Sequence, residues 1–329
     1  MRRIFIGLLI KILFVSFASA KTGDVIQRHI IPNYTALYSA SSSFYEMSLA
    51  SCDFDELRIY YNQLFDTWMA VSHISFGPIE KDGAYQSIVF WPDKKGFTRK
   101  SLKKLIKGKD PIIYNPVEFR KVSIASKGIF ALEMLLYDDE FKGLSSSYSC
   151  DLIKAISLEI RNISDNVLRE WIETYQYRLL SPSPDSTSFH SSKEVDQIFY
   201  TTLISSLQFT LDQRIYRPLG TKSRSKPRRS EAYRSSRSFK NILLQLKALK
   251  KFSNHFVDVQ IPKTDRAFDR AISYLTSFET SLLKILEDEG KIRSVEILAW
   301  RLEDLIEAIK NEIGPILGVG VGFNAMDGD

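Results

Sequence analysis

The segment Ser123–Tyr137 sets one carboxylate, Glu133, among apolar neighbours. A carboxylate buried in that way needs a partner, a proton or a metal. Gly128 costs about 1 kcal/mol relative to Ala inside a helix, so its presence implies that some other group approaches the backbone closely. The alternative is a solvated or ion-paired Glu133 at the edge of the apolar stripe. The remaining chemistry is sparse. The chain has four histidines, His29, His73, His190 and His255, and no His-Glu-x-x-His, so the zinc-peptidase pair of imidazoles one turn apart with a glutamate base is absent. His190 with Glu194 and His255 with Asp258 could each share a ligand, although such spacings arise often by chance. There is no Gly-x-Ser-x-Gly elbow and no phosphate loop. Gly318, Gly320 and Gly322 alternate with no strand before or helix after them, which reads as a flexible tail rather than a dinucleotide cradle. Asp327, Asp329 and the terminal carboxylate, with Asn324 to orient them, form an oxygen-rich group suited to a hard cation beside Glu133; a solvated acidic end has the same composition.

These groups must be positioned by helices. Ala125, Gly128, Ile129, Leu132, Leu135 and Leu136 fall on one side of a helix over Ser123–Tyr137. A first helix over 21–50 has Pro32 as its bend or in its first turn, and Asp53 caps a second that carries Trp68 and stops near Gly77-Pro78. Trp68 reads as a core residue. The helical period then fails to about Asn115, giving a long irregular connection. It contains Lys94, Lys95, Arg99, Lys100, Lys103, Lys104, Lys107 and Lys109. That run would either meet an anionic substrate or a phospholipid or lipopolysaccharide surface as a peripheral contact, or form the solvated face of a short helix. A long helix runs from Leu152 to about Leu180. Ser181-Pro182-Ser183-Pro184 opens a linker over 181–192. Beyond it, stripes over Phe199–Ile215, Ile242–Phe256, Phe268–Leu286 and Val295–Ile313 predict further helices, with Ser230-Glu231 opening one and Gly314-Pro315 closing the last. Glu231 and Arg234 then lie in a helical first turn, and Arg234 is a natural counter-ion for Glu133 across the halves. With no sustained alternation of period two, the fold class is all-α: two packed bundles of about four helices each, 21–180 and 193–317, followed by a Gly-rich tail over 318–329.

Composition places the chain among ordinary globular proteins: 329 residues, 44% hydrophobic and 26% charged. Met1-Arg2-Arg3, an apolar run interrupted by Lys11, and Ala18-Ser19-Ala20 read as a signal peptide over 1–20, cleaved after Ala20. No Cys follows the run, which argues against a lipoprotein anchor. Loss of Arg2, Arg3 and Lys11 takes the formal charge from +6 to +3 (6 − 3 = 3), so the basicity gives no support for nucleic acid as a partner. Cys52 and Cys150 are either a disulfide, as an oxidising periplasm favours, or two buried thiols; two are too few for a cysteine zinc site.

Gly128-Ile129-Phe130-Ala131-Leu132-Glu133 resembles the Gly-x-His-x-x-Glu signature of the imelysin-like proteins, with Phe130 in place of His. Trp68, Phe76-Gly77-Pro78, Phe90-Trp91-Pro92-Asp93, Leu135-Leu136-Tyr137, Ser149-Cys150, Arg228–Ser235 and Gly322–Asp329 are similar to blocks of the family's periplasmic branch, in order along the chain. The resemblance implies a two-bundle fold and an inter-bundle site drawn from Gly128, Phe130, Glu133, Trp68, Glu231, Arg234, Asp327 and Asp329. It also implies a link to iron uptake, with iron or another metal at Glu133 and envelope transport components as partners. The family's older description as metallopeptidases is the competing expectation. A peptidase needs at least three ligands and a water-activating base, and Phe130 cannot be one of them. A purely structural envelope protein is the third class.

Overall fold

The computed structural model describes residues 21–142, 147–221 and 224–320. Among these there is no strand, and nine helices of ten residues or more carry the architecture. In the N-terminal half these are α1 (Ile31–Ala50), α2 (Phe54–Val71), α3 (Phe97–Gly108), α4 (Gly128–Tyr137) and α5 (Ser147–Glu170). The C-terminal half has α6 (Ser192–Phe209), α7 (Ser238–Phe256), α8 (Pro262–Thr276) and α9 (Ile292–Leu317). The signal segment 1–20 and the Asp327/Asp329 end lie outside the described residues.

Helices α1, α2, α4 and α5 pack against one another, and α6 to α9 do the same, which is the predicted pair of four-helix groups. They meet chiefly where α7 lies on α2. The apolar stripes of both halves feed one continuous buried cluster, from Leu37 and Phe65 to Phe252 and Leu302. Asp53 caps α2 as expected, its side chain accepting from the N–H groups of Asp55 and Glu56 at 2.8 and 3.1 Å. Pro32 sits in the first turn of α1, directly after a wide π turn over Ile26–Ile30. Cys52 and Cys150 are bonded, with Cα atoms 5.8 Å apart, tying the α1–α2 corner to the start of α5. No described helix is long and apolar enough to cross a membrane.

Several local expectations shift. The connection after α2 is irregular only in part, because α3 is regular for 12 residues. Only Thr98, Leu102, Leu105 and Ile106 of α3 are buried, so its lysines hide the period. The stripe through Phe268–Leu286 breaks after Thr276, and Ser281 starts a separate short helix, Leu282–Leu286, its hydroxyl accepting from the Lys284 N–H at 3.4 Å. Helix α9 runs through Pro315 to Leu317 and ends at Gly318, whose φ of +63° supplies the left-handed cap. Ser230-Glu231 does not open a helix. Residues 231–236 form a tight turn with Ala232 and Ser236 at φ of +47° and +56°, and α7 starts only at Ser238.

Candidate functional site

The central segment begins later than its apolar period predicts. Gly128 is the first residue of α4 rather than an interior one, at φ +81°, a conformation that L side chains rarely adopt. A Cβ there would lie 2.4 Å from the Ile88 carbonyl oxygen and 2.7 Å from that of Ser87. The close approach expected of this glycine is therefore by backbone, and it presses α4 against the short helix Ala84–Ile88. That contact fixes the direction in which Phe130 and Glu133 project.

Glu133 is 1% exposed. One carboxylate oxygen accepts from the Ser235 N–H at 3.0 Å and from the Ser235 hydroxyl at 2.8 Å. Burial pushes its pKa up; the Ser235 hydrogen bonds and the Arg234 charge act in the opposite direction without cancelling it. Arg234 is thus not its direct counter-ion. Its Nε donates instead to Asp138 at 2.7 Å, and Asp138 is shared with Arg99. Burial would raise the Asp138 pKa, but the hydrogen bonds from Arg234 and Arg99 outweigh it and hold the carboxyl below its usual range. Glu231 turns away from Glu133 into the C-terminal half, accepting from Arg214 Nε at 2.9 Å and Asn241 Nδ2 at 3.0 Å. Arg214 also donates to Thr210 and Gln245 from within a second π turn, Thr210–Tyr216.

A cleft of about 240 Å³ opens beside Glu133, walled by Phe90–Arg99 and α4 on one side and by Arg217 and the 228–234 segment on the other. Its floor is aromatic: Trp91 stacks on Phe130 with centroids 6.0 Å apart and planes 18° apart. Phe130 meets Phe65 edge-on behind. Of the expected site residues, Phe130, Glu133 and Arg234 line this cleft, whereas Gly128 and Glu231 support it from behind. Trp68 is core, packed edge-on against Tyr85 at 5.3 Å. Asp327 and Asp329 lie outside the described residues.

The described residues around Glu133 do not by themselves assemble a metal centre. The motif's imidazole position is occupied by the hydrocarbon ring of Phe130, and one oxygen of Glu133 is taken up by Ser235. Asp93 is taken up by the N–H groups of Phe97 and Thr98, both at 2.9 Å, so it caps α3. Among the described residues no three His, Cys, Asp or Glu side chains converge to hold an ion. His190 is exposed; its ring Nδ1 donates to the Pro184 carbonyl at 3.2 Å and its backbone N–H donates to Glu194 at 2.9 Å.

Three features of the structure lie outside the sequence-based expectations. Ser235 as the partner of Glu133 needs the turn geometry. Arg214 is buried at 4% exposure inside an apolar stripe, and a cation in such a stripe could have been noted. His29 and His73 face each other with Nε2 atoms 2.9 Å apart, both buried against Phe252 of α7.

The imelysin family model matches residues 30–309. An imelysin-like protein from Psychrobacter arcticum has the same fold, with a TM-score of 0.79 and 18% identity over 94% of this chain and 98% of that one. A protein from Parabacteroides distasonis described as an iron-regulated protein A precursor superposes with a TM-score of 0.71 and 12% identity, over 89% and 94% of the two chains. No curated protein matches. With a family match spanning nearly all of both helical groups, the chain belongs to the imelysin family.

Proposed function

We propose that this chain is an exported, non-enzymatic binding protein of the periplasm that serves iron or other metal uptake. Its ligand sits between the two helical groups, in the cleft over Phe130 and Glu133. The observation that carries this reading is the construction of that cleft. Both halves of the chain contribute walls, a stacked aromatic pair gives it an apolar floor, and a buried carboxylate pinned to the opposite half closes its back. Small-molecule sites are commonly built so, concave and at the junction of packed units. The wall residues offer cations, hydroxyls and aromatic faces rather than a nucleophile held against a base, which favours retention of a ligand over its conversion. Likeness to an iron-regulated protein precursor supports the link to iron. The outward lysines of α3, Lys100, Lys104 and Lys107, would provide any contact with an anionic envelope surface.

The test is uptake of labelled iron by cells lacking the protein. Reduced uptake, restored by the wild-type chain and not by Trp91→Ala, is the expected result. Unchanged uptake, or zinc-dependent cleavage of unfolded protein by the purified chain, would replace this reading with another.

A further inference from the structure

The cleft carries the wrong charge for a bare cation. Lys94, Arg99, Arg217, Arg228, Arg229 and Arg234 line it, against the two carboxylates of Asp93 and Glu133. Asp93 is engaged through both oxygens by the N-terminal N–H groups of α3, and Glu133 through one oxygen by Ser235. Arg99 and Arg234 converge on Asp138. Among the described residues, Lys94, Arg217, Arg228 and Arg229 have no carboxylate within ion-pair distance. Arg217 is held in place all the same: it donates to the Arg229 carbonyl at 3.1 Å and lies 5.6 Å from the Trp91 ring centre. A half-buried guanidinium fixed over an aromatic face, beside other cations and with no carboxylate in ion-pair contact, is an arrangement that an anion would stabilise.

A second observation is independent of charge. Ser230 lines the same cleft, is 2% exposed, and its hydroxyl has no hydrogen-bond partner. Buried hydroxyls are nearly always paired, so this one is open to a guest that accepts from it. The volume of about 240 Å³ restricts that guest to a small molecule. The Trp91–Phe130 floor leaves room for a short carbon skeleton beneath the cationic rim.

We propose that the cleft over Trp91 and Phe130 binds a small, multiply charged oxyanion through Arg217, Arg228, Arg229, Lys94 and the Ser230 hydroxyl. Metal enters this site only as part of such an anionic complex. The proposal rests on the reading of the cleft as the ligand site and names the chemistry of its guest.

Calorimetric titration of the purified protein with citrate, inorganic phosphate, ferric citrate and manganese(II) chloride tests it. Citrate or phosphate, whichever carries the shared chemistry, binds saturably, and the affinity falls as salt is raised. Arg228→Gln/Arg229→Gln, two exposed positions at which folding is not at risk, weakens that binding about tenfold or more, and Ser230→Ala weakens it several-fold, with melting temperatures unchanged for the arginine pair. Manganese(II) does not bind in the cleft. Absence of binding by both metal-free anions, anion binding that the arginine pair leaves unaltered, or manganese(II) binding tighter than citrate each overturns the proposal. Ferric citrate binding alone, indifferent to the arginines, would sink the oxyanion assignment and leave the cleft as a binding site. Silence from all four probes would sink both.

Discussion

The Glu133 carboxylate and the Ser235 hydroxyl meet at 2.8 Å, joining α4 of the N-terminal half to the turn that precedes α7 of the C-terminal half. The same oxygen takes the Ser235 N–H, so one buried acid holds a backbone turn that contains two left-handed non-glycine residues. That turn also carries Ser230, Tyr233 and Arg234 to the cleft. Replacing Glu133 by Ala strands the half-buried Ser235 N–H and leaves the Ser235 hydroxyl only the Ala232 carbonyl as acceptor, and should cost about 1–3 kcal/mol in urea unfolding, whereas Glu133→Gln retains one acceptor and should cost less.

Glu133 also sets a pH dependence. Its pKa is raised in the folded state by burial, so the folded chain holds that proton more tightly than the unfolded one. The associated stability is fully present below the unfolded carboxyl value of about 4.3 and is lost as pH rises through the folded value. Stability curves of the wild type and Glu133→Gln should therefore converge toward low pH and separate above it. Parallel curves would show that the carboxyl titrates normally.

The His29–His73 pair works in the opposite sense. Burial lowers both, His73 to about 3, and His73 and His255 add to the effect at His29. The unfolded chain binds these protons first, so stability is present above about pH 6.5 and falls on acidification, by roughly 1.4 kcal/mol per pH unit for each histidine. The double change His29→Phe/His73→Phe should flatten that limb between pH 6.5 and 4 in a thermal-melt series.

Gly128→Ala should be among the most damaging single substitutions. The backbone is at φ +81° and the new methyl would meet two carbonyl oxygens at 2.4 and 2.7 Å. The left-handed conformation alone costs roughly 1–2 kcal/mol, and the clash adds to it. Loss of expression or a melting temperature lower by several degrees is expected, with weaker binding in the cleft as α4 shifts.

Reduction of Cys52–Cys150 opens a cross-link spanning 98 residues, which corresponds to a stabilisation of about 4–5 kcal/mol in the chain-entropy account. The Cys52→Ser/Cys150→Ser pair should lower the urea midpoint with little effect on binding, because neither cysteine lines the cleft.

Where side-chain period and capping chemistry act locally, the fold was legible. Asp53, the apolar faces of α2, α5 and α7, and the burial of Glu133 all follow from neighbours within a turn or two. The cysteine pairing needed the structure to decide it. Features set by distant chain segments were not legible. The 231–236 turn replaces a predicted helix because Ser235, Arg237 and Ser238 bind Glu133, the Ala232 carbonyl and the Glu231 carbonyl respectively. Arg234 and Glu231 each have a partner other than Glu133, namely Asp138 and Arg214, from residues 96 and 17 positions away. Of the cationic rim, the sequence offered only the run from Lys94 as a contact for an anion; its meeting with Arg217 and the 228–229 pair was not legible, because these are far apart in sequence. Helix α3 is the short helix with a solvated basic face that the sequence offered as one reading of the Lys94–Lys109 run, although its charges hide the apolar period.

Trp91 offers the most direct measurement, since its ring is both the cleft floor and a fluorophore beneath Arg217. Citrate or phosphate should change the intrinsic fluorescence saturably at low salt, and the change should disappear in Trp91→Phe and require several-fold more anion in Arg217→Gln. A saturable change produced by manganese(II) and by neither anion, or an anion response that survives Trp91→Phe intact, would contradict this account of the cleft.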